Sequence, residues 1–223
     1  MASLALFNHV AMAFPAPMAD DLLLRWDRAL GLNWVAYAHL IGDIDIVSFI
    51  LDHIYQAMLP ALIIVGLHAV FIGHSSKCNE LLALVITTGI FSVFIAAFFP
   101  AMGPMDYIHD TNVMALFAKN EISGFLPQLI ELRTAPHIAL NPLRLAGLAQ
   151  FPSYHCACGI YTIYGSRGSY YSLVPATIFS ILMIAATPII GDHYFVDLIA
   201  GACVAIAFIL AGRKLYQNSV AKG

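Results

Sequence analysis

The chain has 223 residues, 61% of them hydrophobic and only 10% charged, with a net charge of −3. A soluble domain carries about 25% charged residues, so this composition excludes a soluble enzyme and describes an integral membrane protein forming one helical bundle. The charge gives no argument for nucleic acid. The four cysteines have neither C-x-x-C nor Cys/His zinc spacing and read as small buried hydrophobes.

Met1 to Ala19 is apolar without a basic start, and Pro15 and Pro17 break any helix, so an irregular or interfacial N-terminus is expected. Asp20 to Gly42 mixes charged and apolar residues and holds Trp26 and Trp34, the pattern of a helix lying in the membrane interface. Asp20, Asp21 and Asp27 read as its wet face, and residues 1–44 together form an N-terminal interfacial segment. Ile46 to Gly73 is long enough to cross about 30 Å of hydrocarbon. Its Asp52 and His53 fit the interface. Glu80 to Pro100 is a second span, closed by the turn at Gly103 and Pro104.

Residues 101–151 form a long connection rich in Leu, Ile and Phe, expected to fold into short helices over the site. Ser153 to Gly165 is a short third helix, Ser169 to Ile190 a fourth and Tyr194 to Ala211 a fifth. The expected fold is therefore all-α. It is a single membrane domain over 1–223, with about five transmembrane helices, the interfacial segment and the helical loop.

Two stretches carry chemistry. In FPSYH, Ser153 is placed to cap the helix that begins at Tyr154 and His155, and a helix start is a ready anion site. In GDHYFVD, His193 and Asp197 stand four apart, so on a helix they share a face. A carboxylate there can hold one imidazole nitrogen and leave the other as base or nucleophile. Two histidines, a carboxylate and an anion site suggest phosphoryl transfer. Zinc on His193, Asp197 and His155 is the metal alternative. A transporter using His193 and Asp197 as a proton relay is the non-catalytic one.

Pro152-Ser153-Tyr154-His155 and His193 to Asp197 resemble the second and third motifs of the type 2 phosphatidic acid phosphatase superfamily. FPS-x-H with HY-x-x-D-x-x-AG is similar to the branch containing fungal inositol phosphorylceramide synthases. The resemblance implies His193 as nucleophile, His155 as general acid, Asp197 as the group orienting the nucleophile, and chemistry without metal or cofactor. The superfamily's first motif, Lys-x-x-x-x-x-x-Arg-Pro, is absent, and Thr187 stands where an Arg usually precedes the nucleophile. Phosphate binding then falls to Ser153 and an arginine of the loop, Arg133 first and Arg144 second. The expected substrate is a lipid phosphate in the bilayer. The expected reaction is hydrolysis, or transfer of a phospho-head group if an alcohol replaces water.

The connection at Lys77, the turn at Arg167 and the tail with Arg213, Lys214 and Lys222 carry five cations against one acid, Glu80. The positive-inside rule places that side and the C-terminus in the cytoplasm, and the histidines on the extracytoplasmic side.

Overall fold

The computed structural model describes residues 2–119, 126–134 and 147–220. Among them there are twelve helices and no strand. They are α1 (Ala2–Met12), α2 (Asp20–Ala29), α3 (Trp34–Gly42), α4 (Asp45–Gln56), α5 (Met58–Phe71) and α6 (Ser75–Ala96). Then follow α7 (Pro104–Ile108), α8 (Thr111–Lys119), α9 (Leu126–Thr134), α10 (Tyr154–Gly165), α11 (Tyr170–Ile190) and α12 (Phe195–Val220).

Three helices, α6, α11 and the Phe195–Leu215 part of α12, are long and apolar enough to cross a membrane; α3 and α4, bent by 105°, are a fourth if taken as one span. Large apolar side chains point outward about one turn apart, as at Leu82, Ile86 and Ile90 on α6 and at Ile206 and Leu210 on α12. That spacing is the stripe a helix offers to hydrocarbon. The protein is thus a helical membrane bundle. The expected first span, Ile46 to Gly73, is divided at Ala57 into α4 and α5. Pro60, in the first turn of α5, has no N–H to give the carbonyl four residues back, so the helix breaks there.

The twelve-residue α10 is the hub, packed against α5, α6, α11 and α12. Cys156, Ala157, Cys158 and Gly159 are all buried, and side chains this small let neighbouring backbones approach from several directions. The closest approach is at Gly201 of α12, where a Cβ would overlap the Ser153 carbonyl. Only glycine lets the two functional helices meet there.

The N-terminal segment differs from expectation. Residues 2–12 are helical, and α1 lies against α6 and α9. The face of α2 is also reversed: Asp20 and Asp27 are buried with Leu23, whereas Asp21 and Arg25 pair on the exposed side. The physical reason is hydrogen bonding. Asp20 accepts from the Met102 and Gly103 N–H groups and from the Tyr194 hydroxyl. Asp27 accepts from the Phe195 and Val196 N–H groups, capping α12 from another helix. Five donors placed this way offset the cost of burying the two carboxylates.

Candidate active site

The segment Gly191–Tyr194 joins α11 to α12 and is fixed from several sides. Gly191 N donates to Thr187 O, ending α11. Asp192 sits in the left-handed region (φ 53°), and its Oδ1 accepts from Met105 N at 2.8 Å. Its carboxylate lies against Gly103, itself at φ 97°, where a Cβ would overlap it. Burial pushes the Asp192 carboxyl well above the usual range, and the nearby Asp106, Asp20 and Asp197 push the same way. The Tyr194 hydroxyl reaches Asp20 at 3.0 Å. Groups from two distant parts of the sequence, Asp20 and the Gly103–Met105 stretch, therefore hold this short loop still.

Within it, His193 Nδ1 lies 3.1 Å from Asp197 Oδ2, and the Tyr194 N–H donates to the same oxygen at 3.0 Å. His193 is 4% exposed, and burial pushes its imidazole down to about 3, opposed by a hydrogen bond to the Gln150 backbone. The ring is neutral at physiological pH. The expected His193–Asp197 pair is formed, although His193 stands just before α12 rather than on it.

His155 lies in the first turn of α10. The Tyr55 hydroxyl from α4 is 3.1 Å from its Nδ1, and the two rings stack with centroids 4.1 Å apart and planes 16° apart. Gly191 sits between the two halves: a Cβ there would stand 2.6 Å from Tyr55 Oη and 2.9 Å from His193 Cδ2. The Ser153 N–H donates to Asp197 O at 2.9 Å, tying the start of α10 to the first turn of α12.

His155, His193 and Tyr55 line one cavity of about 370 Å³. Its walls come from α1 (Leu4, Ala5, Asn8), α5 (Met58, Leu59), α6 (Gly89, Ser92, Val93) and the strip Gly147–Pro152. No charged side chain is among the described residues lining it. Ser92 Oγ and Gln150 Oε1 are buried there without a partner among the described residues, an unusual condition that a polar ligand would relieve.

The other expected phosphate ligands are not brought to this cavity by the described residues. Ser153 is fully buried, and its hydroxyl accepts from Cys156 N, serving the helix it caps. The Arg133 guanidinium donates to the Met12, Phe14 and Ala16 carbonyls, fastening the end of α1 to α9. Those carbonyls occupy its donors, and it borders a different cavity, beside Met18 and His109. Arg144 lies outside the described residues. Among the described residues no group of three or more His, Cys, Asp or Glu side chains is placed to hold a metal ion.

Residues 21–211 match the family model of the PAP2 superfamily. The chain belongs to the PAP2 superfamily. No curated protein and no solved structure gives a significant match. Superfamily membership carries phosphatase- or phosphotransferase-type chemistry, and the matched range contains both histidines, Asp197, Tyr55 and Asp27, with Asp20 just before it. In this PAP2 protein the residues to which sequence reading gave no such part are Tyr55, named only as a possible pocket residue, which holds His155, and Asp20 and Asp27, which hold the His193 loop. The two acids left a signal: they are seven apart, hence on one face of α2, and Leu23 lies on that same face. Tyr55 left none, because its partner is 100 positions away.

Proposed function

We propose that this PAP2 protein hydrolyses a lipid phosphate ester or anhydride through a phosphohistidine on His193. The observation that carries the proposal is that His155 and His193 line one cavity, each with one ring nitrogen held by a partner. With Nδ1–H donated to Asp197, the other nitrogen of His193 keeps its lone pair and is the nucleophile. It attacks phosphorus, a P–N bond forms, and the bond to the lipid oxygen breaks. His155 gives that oxygen a proton, because an alkoxide is a poor leaving group. In the second half-reaction His155 removes a proton from water. The oxygen attacks phosphorus, the P–N bond breaks, and phosphate and neutral His193 are regenerated.

Tyr55 suits both halves of the cycle. The phenol oxygen accepts from Nδ1–H whether the His155 ring is charged or neutral, which leaves the other ring nitrogen free to give a proton to the leaving oxygen and later take one from water. The incoming phosphate itself favours the charged ring. Of the two loop arginines, Arg133 is engaged elsewhere, and Arg144 precedes by three positions Gly147, which lines the cavity. Arg144 is therefore assigned the charge that the transition state needs. An alcohol in place of water would make the same site a phosphotransferase, as the synthase-like motif spelling allows. The excess of short-segment cations at the other end supports a cytoplasmic C-terminus and an extracytoplasmic site.

Phosphate release from phosphatidic acid, phosphatidylglycerophosphate and prenyl phosphates, with lipid products analysed alongside, tests the reaction. His193→Ala should lower turnover by several orders of magnitude while the protein stays folded. Substrate labelled at phosphorus should leave an acid-labile, alkali-stable label on the wild type alone. An active His193→Ala protein would refute the assignment.

A further inference from the structure

A larger cavity of about 610 Å³ lies at the other end of α10, between α6, α10 and α12. It borrows nothing from the histidine site. Lys77 and Glu80 come from the first turns of α6, Tyr164 from the end of α10, Arg167 from the turn after it, and Arg213 from α12. Three cations against one carboxylate leave the cavity with two positive charges in excess. Its polar groups are already arranged. Glu80 pairs with Arg167 and accepts from the Tyr164 hydroxyl, and Arg213 Nε donates to that hydroxyl at 3.1 Å. The Arg167 guanidinium lies 3.6 Å over the Tyr164 ring, which fixes the plane of its fork. Among the described residues, Lys77 Nζ meets only the Arg167 carbonyl oxygen, at 3.4 Å. It therefore keeps donors to spare.

We propose that this cavity binds the phosphate headgroup of an anionic phospholipid. Planar guanidinium forks and an ammonium around one hollow suit a phosphate. Basic pockets between transmembrane helices are sites where such headgroups lodge. A lipid is favoured over free phosphate by what surrounds the cavity. Ala83 and Leu84 form its inner wall, the exposed Phe91 lies further along the same face of α6 and meets Phe208 of α12, and Ile206 and Leu210 face outward on the Arg213 side of α12. The acyl chains of a lipid held by its phosphate would run down that apolar surface.

Native mass spectrometry and melting temperature of the full chain in detergent, titrated with phosphatidylglycerol or phosphatidylcholine, provide the test. The His193→Ala background keeps turnover out of the measurement. One phosphatidylglycerol should be retained at least tenfold more strongly than phosphatidylcholine and should raise Tm. The double change Lys77→Gln with Arg213→Gln should abolish that preference while leaving the Glu80–Arg167 pair intact. Gly212→Phe keeps every charge and enters a position where a Cβ meets nothing within 4 Å, so it should fill the cavity and displace the lipid without unfolding the protein. It decides the question if the double variant does not fold. Equal retention by wild type and Gly212→Phe overturns the proposal. Inorganic phosphate that binds as tightly as the lipid and competes with it assigns the cavity to a soluble anion, which overturns it equally.

Discussion

Tyr55→Phe removes one hydroxyl and leaves the ring stacked on His155. A hydrogen bond of this kind contributes about 1–2 kcal/mol, so kcat should fall roughly five- to thirtyfold with KM nearly unchanged. Unchanged kcat would mean that stacking alone orients the imidazole. The two arginines separate by a different pair of measurements. Arg133→Ala strips three backbone carbonyls of a charged donor, so it should lower stability by about 1–3 kcal/mol, read as a drop in Tm. Arg144→Ala should spare Tm and lower kcat/KM roughly thirty- to a thousandfold, about 2–4 kcal/mol in the transition state. The reverse pattern would return the phosphate to Arg133. The pairing of His193 with Asp197 and the helix start at His155 were legible because they rest on short spacings, which a sequence displays directly. The fate of Arg133 was not, since the carbonyls of residues 12, 14 and 16 carry no side-chain signature.

At the level of elements, the candidate site is a junction of two helix starts, α10 and α12, and Gly201 sets their separation. Gly201→Ala drives a methyl group into the Ser153 carbonyl, and backbone cannot turn aside as a side chain can. The helices must part, stretching the Ser153 N–H bond to Asp197 O and moving His155 away from His193. Activity should fall at least a hundredfold, because small misplacements of reacting groups are costly. Stability should fall by only about 1–3 kcal/mol, as overpacking usually costs. Near-normal kcat in Gly201→Ala would show that the junction tolerates adjustment. The helical spans at α6, α11 and α12 were readable from long apolar runs. The burial of α2 was not, because acids on an amphipathic helix face water by default and only the partner N–H groups at 102, 103, 195 and 196 reverse that default.

For the molecule as a whole, burial of a neutral histidine ties stability to pH. In the unfolded chain His193 takes up a proton near pH 6.5, whereas in the folded protein it resists until about 3. Between those values the unfolded state binds more protons, so acidification through that window favours unfolding by up to about 1.4 kcal/mol per pH unit. The raised Asp20, Asp27 and Asp192 carboxyls act in the opposite sense, holding protons that the unfolded chain releases. Comparison with a His193→Gln protein isolates the histidine: wild type should lose more Tm than the variant between pH 7 and pH 4.5, and parallel curves would exclude this linkage. The brevity of α10 has a consequence of another kind. Its twelve residues rise about 18 Å, against roughly 33 Å for the twenty-two of α6. Gly89, level with the Tyr154 ring at the start of α10, still has α6 running on to Ala96, about 10 Å further. The start of α10, and His155 with it, therefore lies below the end of α6 rather than level with it. Under the proposed lipid phosphatase reading, with the end of α6 at the membrane surface, a phosphate at headgroup height would have to sink to be reached. Selection would then favour molecules with long tails and small heads, and bulky heads would be held back.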